Sequence, residues 1–288
     1  MHRTLLVLYF LCCLFGVIPA AHADSYTFEL IHVPGARYTQ ANGINDHGQI
    51  VGMYQDSSSA RAHHGFVYAN GTFTPLNAPG NLRLDWAYGI NNRGQVVGTC
   101  SDSQGAHGCL FNNGTVTLFD VPDSVDTSAQ GLNNRGQIVG SYFDGNTWHG
   151  YIYDNGAFTS LDVPFPDALP GSTWPWGIND RGLVVGIYVD FNWTHHGFLY
   201  NGGAFTPLDV PGTTAADVYG INKRGQIVGA AYASGKAYGF LDDNGVFTFL
   251  DAPGAIGTYA QGLNNHGQIV GIYGDRSGVG YGFLATTK

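Results

Sequence analysis

Short apolar runs, rich in Val, Ile, Phe and Tyr, alternate with polar breaks of Asn, Asp, Gly and Ser along almost the whole chain. Runs of this length with that residue preference predict β-strands separated by turns, because a helix needs a longer stretch with a 3.6-residue period. One stretch carries the pattern most clearly: Gly131-Leu132-Asn133-Asn134-Arg135-Gly136-Gln137-Ile138-Val139-Gly140. It recurs at Gly43–Gly52, Gly89–Gly98, Gly177–Gly186, Gly220–Gly229 and Gly262–Gly271, always as G-[IL]-N-x-x-G-x-[IV]-V-G. The first glycines are 46, 42, 46, 43 and 42 residues apart. A period in the low forties predicts a repeat architecture.

The second repeat shows what one unit contains. Trp86–Asn91 is a first strand, Asn91-Asn92-Arg93-Gly94 a turn, and Gln95–Thr99 a second strand. After a variable polar loop, Gly108–Phe111 is a third strand. Asn112-Asn113-Gly114 has the Asn-Gly chemistry of a tight hairpin, and Thr115–Val121 is a fourth strand ended by Pro122. Other copies repeat the order, with third strands such as His149–Tyr153 and fourth strands such as Phe205–Val210. Four antiparallel strands per unit predict the blade of a β-propeller. The second strands are apolar on both faces (Ile50 with Val51, Ile138 with Val139), as packing between two neighbouring sheets requires. A parallel β-helix competes with this reading, but its coils are shorter and lack tight Asn-Gly hairpins.

The ends bear on closure. The sixth copy stops after its third strand, Tyr281-Gly282-Phe283-Leu284. An orphan fourth strand stands near the start: Thr27–Gly35 aligns without gaps on Thr72–Gly80. The expectation is an all-β, six-bladed propeller of four-stranded antiparallel blades, closed by an N-terminal strand that completes the last blade. It would be one domain over residues 24–288.

Residues 1–23 read as a signal peptide, with Arg3, the apolar run Leu5–Ile18 and the small-residue site Ala21-His22-Ala23. The run is short for a membrane span, so the expectation is a secreted or periplasmic protein with no stable membrane anchor. The formal net charge of −9 argues against a nucleic-acid partner, whose phosphates call for a basic footprint. Outside the leader two cysteines remain, Cys100 and Cys109, in one repeat on either side of a loop. In an oxidising compartment they are expected to pair as a local staple.

The G-[IL]-N-x-x-G-x-[IV]-V-G unit, followed by a His-Gly-Phe or Tyr-Gly-Phe strand, resembles the HAF family of extracellular repeat proteins. The resemblance covers essentially the whole chain beyond the leader. It implies secretion and a β-rich repeat fold, with no established activity. Members often carry a C-terminal sorting anchor of the Pro-Glu-Pro type, which this sequence lacks, so free secretion as a monomer is the expectation.

Residues present in every repeat read as structural. These are Asn45, Asn91, Asn133, Asn179, Asn222 and Asn264, expected as turn residues, and His64, His107, His149 and His196, replaced by Tyr238 and Tyr281, expected as a buried hydrogen-bonding ring. The histidines lie on different blades and cannot share one ion, so no metal and no cofactor is expected. The pairs His63-His64 and His195-His196 stand apart from the repeat pattern. Asn70-Gly71-Thr72, Asn113-Gly114-Thr115 and Asn192-Trp193-Thr194 match the glycosylation pattern and read as turn chemistry.

Function is expected where repeats differ. The loops that vary join blades, or join second to third strands, and these share one face of a propeller. Counting back from each first glycine, one position gives Asn42, Tyr88, Gln130, Trp176, Tyr219 and Gln261. Three positions back gives Gln40, Trp86, Ser128, Trp174, Asp217 and Tyr259. The candidate ligand-binding set is Trp86, Tyr88, Gln130, Trp174, Trp176, Asp217, Tyr219, Tyr259 and Gln261 near one mouth of the channel. Aromatic faces beside amides suit a sugar ring; the competing role is filling the wedge between blades. Asp85 and Asp217 stand near the mouth on opposite blades, outside any catalytic motif, so no catalytic residue is assigned. The reading that results is a secreted module binding a glycan or a partner protein. The alternatives are an extracellular glycoside hydrolase or polysaccharide lyase, and a structural surface protein.

Overall fold

The turns form as their residues dictate, and the turns set the strands. In the hairpins Asn113-Gly114, Asn70-Gly71, Asn155-Gly156 and Asn244-Gly245, both central residues have positive φ, from 49° to 89°. That is the turn whose twist matches two antiparallel strands, and it explains the Asn-Gly pairs. The computed structural model describes residues 26–56 and 63–288. The leader predicted over residues 1–23 lies outside the described residues.

The described chain begins with β1 (Tyr26–Ile31). Blade 1 is β2 (Ala36–Ile44), β3 (Ile50–Asp56), β4 (His63–Ala69) and β5 (Thr72–Leu76). Blade 2 is β6 (Arg83–Ile90), β7 (Val96–Ser101), β8 (Ala106–Asn112) and β9 (Thr115–Phe119). Blade 3 is β10 (Asp126–Leu132), β11 (Ile138–Phe143), β12 (Trp148–Asp154) and β13 (Ala157–Ser160). Blade 4 is β14 (Ala168–Ile178), β15 (Val184–Asp190), β16 (His195–Asn201) and β17 (Ala204–Leu208). Blade 5 is β18 (Ala215–Ile221), β19 (Ile227–Ala233), β20 (Lys236–Asp243) and β21 (Val246–Leu250). Blade 6 is β22 (Gly257–Leu263), β23 (Ile269–Gly274), β24 (Gly280–Thr287) and, as its outer strand, β1.

The fold is therefore an all-β, six-bladed propeller, closed as the orphan strand predicts. β1 pairs antiparallel with β24 from Tyr26↔Thr287 to Ile31↔Gly282. Thr27 Oγ1 and Thr286 Oγ1 lie 2.7 Å apart across that seam. Cys100 and Cys109 form the expected disulfide, buried between β7 and β8. β6 starts three residues before the predicted Trp86, because Arg83 and Leu84 already pair with Ser101 and Cys100 ahead of a bulge at Asp85.

The core is a set of wedges between blades. The second-strand valine of each motif sits in the core of the following blade: Val51 packs with Leu84, Ala87 and Val96, and Val185 with Val218, Ile221 and Phe240. The circle ends where it began, with Val270 of blade 6 among Ile44, Ile50 and Phe66 of blade 1. The first glycine of each motif lets innermost strands touch. A Cβ on Gly131 would meet Trp176 O at 2.6 Å, and one on Gly262 would meet Asn42 O at 2.7 Å.

The motif asparagines do more than shape turns. Asn133 Oδ1 accepts from Arg135 N and Gln137 N, both at 3.0 Å, within its own turn. Its Nδ2 donates to Gln137 Oε1 at 2.7 Å and to Asn179 O of the next blade at 3.0 Å. The same inter-blade bond runs from Asn45 to Asn91, Asn91 to Asn133, Asn179 to Asn222, Asn222 to Asn264, and Asn264 back to Asn45, at 2.9 to 3.2 Å. The result is a closed ring of side chain to backbone hydrogen bonds around the axis, on residues that are 3–4% exposed.

Two outcomes follow. Asn133→Asp keeps the shape but removes both donors and buries a charge against two oxygens, so it should cost at least about 3 kcal/mol in denaturant unfolding; a change within experimental error would show that the ring carries no stability. Deleting residues 26–33 should expose the edge of β24 and remove Tyr26 and Ile31 from the core. Size-exclusion and melting profiles should then show association and a broadened transition, whereas an unchanged monomer would refute closure by strand exchange.

Candidate functional site

In every blade the first strand carries a bulge just before the motif glycine, between Ala87 and Gly89 in blade 2 and between Ala129 and Gly131 in blade 3. The extra residue is the one immediately before the glycine, and its side chain is thrown toward the axis. Asn42, Tyr88, Gln130, Trp176, Tyr219 and Gln261 line a single axial cavity of about 120 Å³. The rings cross the channel rather than leave it open. Tyr88 meets Trp176 edge-on at 5.5 Å, and Trp176 meets Tyr219 edge-on at 5.5 Å. Trp86 lies parallel to Tyr88 at 5.8 Å. Burial, with Asp85 nearby, pushes the Tyr88 hydroxyl well above its ordinary range, so it stays neutral.

Three buried polar atoms in this ring, Asn42 Oδ1, Gln130 Oε1 and Trp176 Nε1, have no hydrogen-bond partner among the described residues. The Asn42 amide is oriented by its other end, because Nδ2 donates to Ala87 O at 2.8 Å. Gln130 Nε2 donates to Ser128 Oγ and Ser141 Oγ at 3.1 and 3.2 Å. The cavity has room for about four waters, which would complete these bonds.

A second pocket, of about 320 Å³, lies between blades 4 and 5 on the face of variable loops, lined by Trp174, Trp176, Ile187, His195, Asp217 and Tyr219. Asp217 is buried and fully engaged. Its Oδ1 takes the Nδ1 of His195 at 2.7 Å, and its Oδ2 accepts from Tyr219 OH at 3.1 Å and Tyr232 OH at 2.6 Å. The bond to Asp217 raises the His195 imidazole above its usual value, against the opposing effect of burial. Burial first, and the Asp217 charge second, push both tyrosine hydroxyls far up.

This arrangement reuses one relation seen between blades 1 and 2 and departs from the repeat in the residues of blade 5. The residue before the third-strand histidine packs against the residue three before the next motif: His63 against Trp86 at 5.1 Å, and His195 against Asp217. Blade 5 has also moved a tyrosine. Four blades carry Tyr54, Tyr142, Tyr188 or Tyr273 two positions after the motif's last glycine, whereas blade 5 has Ala231 there and Tyr232 one residue later. A one-residue step along a strand turns the side chain to the opposite face, and that step brings Tyr232 onto Asp217.

Tyr259 and Gln261 line a third pocket, of about 380 Å³, between blades 6 and 1, with Tyr38, Gln40, Ile256 and Ile272. Burial holds the Tyr38 hydroxyl, which donates to Gln40 Oε1 at 3.0 Å, up at about 12. The nine candidate residues are thus divided. Five line the axial cavity, of which Trp176 and Tyr219 also join Trp174 and Asp217 in the pocket between blades 4 and 5, while Gln261 also joins Tyr259. Trp86 stands against Tyr88 and His63. Asp85 pairs with Arg83 at 2.7 Å and is not among the residues that line the pocket around Asp217.

The third-strand histidines form no buried ring. Each is a half-buried clamp within its own blade, stacked on a second-strand tyrosine where one is present, as Tyr142 on His149 at 5.1 Å. His107 joins Asp120 at 2.9 Å to Asp102 at 3.3 Å, and His196 joins Asp209 at 3.0 Å to Asp190 at 3.4 Å. Among the described residues no group of three or more His, Cys, Asp or Glu is placed to hold a metal ion. No helix among them is long and apolar enough to cross a membrane.

No protein-family model and no curated protein matches this chain. Solved structures do, at the level of fold. The β-propeller domain of the Trilobed protease from Pyrococcus furiosus, described as having an open velcro topology, aligns with a TM-score of 0.54 at 12% identity, over 87% of this chain and 79% of that one. The Aleuria aurantia lectin in complex with Fucα1-6GlcNAc aligns with a TM-score of 0.53 at 12% identity, over 89% and 93%. TolB from Acinetobacter baumannii aligns at 0.50 and 12%, over 85% of this chain and 54% of its own. Identities this low speak for the propeller alone.

The clamps predict a pH dependence. Burial opposes protonation of His107, but Asp120 and Asp102 outweigh it and raise the imidazole above 6.5. A raised folded value stabilises fully below the unfolded one and is lost as pH rises through the folded value. Backbone hydrogen bonds, from Gln104 first, and His107 lower Asp102 below 3.8, so its contribution is lost only as pH falls through that lowered value. The stability difference between the native protein and His107→Asn should therefore be largest near about pH 5 and shrink above about pH 7. Chemical denaturation across that range measures it.

Proposed function

We propose that this chain is a secreted propeller of the HAF type that binds a glycan on its variable face, principally in the pocket between blades 4 and 5. One observation carries the reading: the indoles of Trp174 and Trp176 wall a pocket that also holds the polar groups of His195 and Tyr219. An indole face takes the CH groups of a sugar ring, while hydrogen-bonding groups beside it take the hydroxyls. Other features agree. Trp193, two residues before His195, is 79% exposed and held at a φ of 63°, and Phe191 beside it is 60% exposed. An exposed indole in a left-handed conformation is a costly arrangement of the kind that clusters at binding sites. The Aleuria lectin, a propeller by fold, takes a fucosyl ligand. The buried disulfide and the leader-like residues 1–23 support secretion.

A glycan array identifies the ligand, and titration calorimetry then tests the site. Trp174→Ala should weaken binding by about 1–3 kcal/mol, as truncation of an aromatic anchor does. It should lower the melting temperature less than Val184→Ala, whose side chain is fully buried in the core. A Trp174→Ala protein that melts far lower yet binds normally while folded would assign the indoles to packing and end the case for this pocket.

A further inference from the structure

The pocket between blades 4 and 5 holds an arrangement that binding alone does not need. Asp217 is buried, both its oxygens are occupied, and it faces the Nδ1 edge of a histidine whose side chain is 49% exposed. A carboxylate only accepts hydrogen bonds here, so Nδ1 of His195 carries the proton and the neutral ring's lone pair lies on Nε2. Nε2 has no partner among the described residues. A buried acid fixing the tautomer of an imidazole at the edge of a pocket is the relation between orienting group and base in general-base catalysis. Blade 5 builds it from departures from the repeat, Asp217 and the displaced Tyr232.

The lining narrows the chemistry. Among the described residues no Ser, Thr, Cys or Lys lines the pocket, so the nucleophile is water. The single carboxylate among its described lining residues is already engaged, so those residues do not supply the acid and base pair of a glycosidase. No Arg or Lys among the described residues lines it to neutralise the carboxylate of a uronate, as elimination would require. A lone oriented imidazole can still perform a reaction that needs one proton taken and the same proton returned. Hydrolysis of an acyl ester is such a reaction.

We propose that His195, positioned by Asp217, is the general base of an esterase site that cleaves O-acyl esters bound between Trp174 and Tyr219. Nε2 takes a proton from water as the water oxygen bonds to the ester carbonyl carbon. The tetrahedral intermediate then collapses, the bond from acyl carbon to alcohol oxygen breaks, and Nε2–H returns the proton to the leaving oxygen. The products are a carboxylic acid and an alcohol, with His195 regenerated. That the alcohol is a sugar rests on the binding reading above; the acyl chemistry does not.

The test uses the full secreted chain with para-nitrophenyl acetate, which contains no sugar, and a peracetylated methyl glucoside, with released nitrophenol and acetate as readouts. His195→Gln should lower the rate about 10²- to 10⁴-fold, the usual contribution of a positioned base, while His107→Gln leaves it unchanged. The native rate should rise with pH and level off with a midpoint above that of an ordinary imidazole. Asp217→Asn should slow the reaction and lower the midpoint. Tyr232→Phe removes one hydrogen bond from Asp217, concentrates its charge and should raise the midpoint; shifts of opposite sign are not expected from a role in packing alone. Should Asp217→Asn fail to fold, the Tyr232→Phe profile decides. Hydrolysis of both esters in the absence of glycan binding would keep the esterase and remove the lectin reading. Glycan binding with no hydrolysis above the His195→Gln background would overturn the esterase.

Discussion

The ring of six asparagines on the axis is the interaction on which the rest of the molecule depends. Each amide has two acceptor sites and two donor hydrogens, and the turn consumes both acceptor sites on its own N–H groups. The donors divide between a glutamine of the same turn, in every blade but the fourth, and a carbonyl of the next blade. A buried carbonyl deprived of that donor would cost about 1–3 kcal/mol, so a blade that drifted outward would pay at two neighbours at once. The last bond, Asn264 to Asn45, spans 219 residues and forms only when the sixth blade returns to the first.

The glycines of the same motif make that ring geometrically available. The innermost strands approach so closely that a methyl group on the first glycine would meet the neighbouring backbone, and the bulge just before it aims one side chain per blade at the axis. Motif, bulge and ring are therefore one device. Holding the blades together at the axis and along six wedge cores leaves the outer rim and the variable face free to differ. The histidine clamps fasten loops to blades there, and their half-exposed positions explain why tyrosine or a lysine–aspartate pair, Lys236 with Asp251 at 2.7 Å, substitutes without disturbing the ring.

Against that uniform background the fifth blade is the irregular one. Aspartate replaces the aromatic, amide or hydroxyl side chain seen three positions before the motif in other blades, and a tyrosine has crossed from one face of its strand to the other. Burying Asp217 would be costly alone; two tyrosine hydroxyls and an imidazole offset it. The neighbouring blade contributes the two tryptophans and the histidine. Among the described residues, no other junction carries a polar cluster of this kind, and perturbed titratable groups of this sort are found more often at functional sites than elsewhere.

Fold and closure were legible in the sequence because they rest on local rules repeated six times. Asn-Gly pairs specify hairpins, alternation specifies strands, and an unpaired Thr27–Gly35 segment beside an incomplete last repeat specifies its partner. The cysteine pair follows from spacing and compartment in the same way. The sequence placed the −1 and −3 side chains together near one mouth of the channel by a period of two. The bulge before each motif glycine, which that period does not foresee, sets the −1 residues on the axis and leaves Trp174, Asp217 and Tyr259 in pockets between blades. What the sequence did not disclose is any relation between residues that the ring alone brings together. The asparagines read as turn formers because their second function needs a carbonyl 42 to 46 residues away in most blades. The sequence offered His195 in a histidine pair outside the repeat pattern and Asp217 as a candidate at the channel mouth, 22 residues apart on different blades, with nothing to join them. The one visible signal was the displaced Tyr232, whose meaning depends on knowing that a one-residue step on β19 turns a side chain from the outer wedge to the face of Asp217. Local chemistry decided the blades, and only the closing of the circle decided which side chains meet between them.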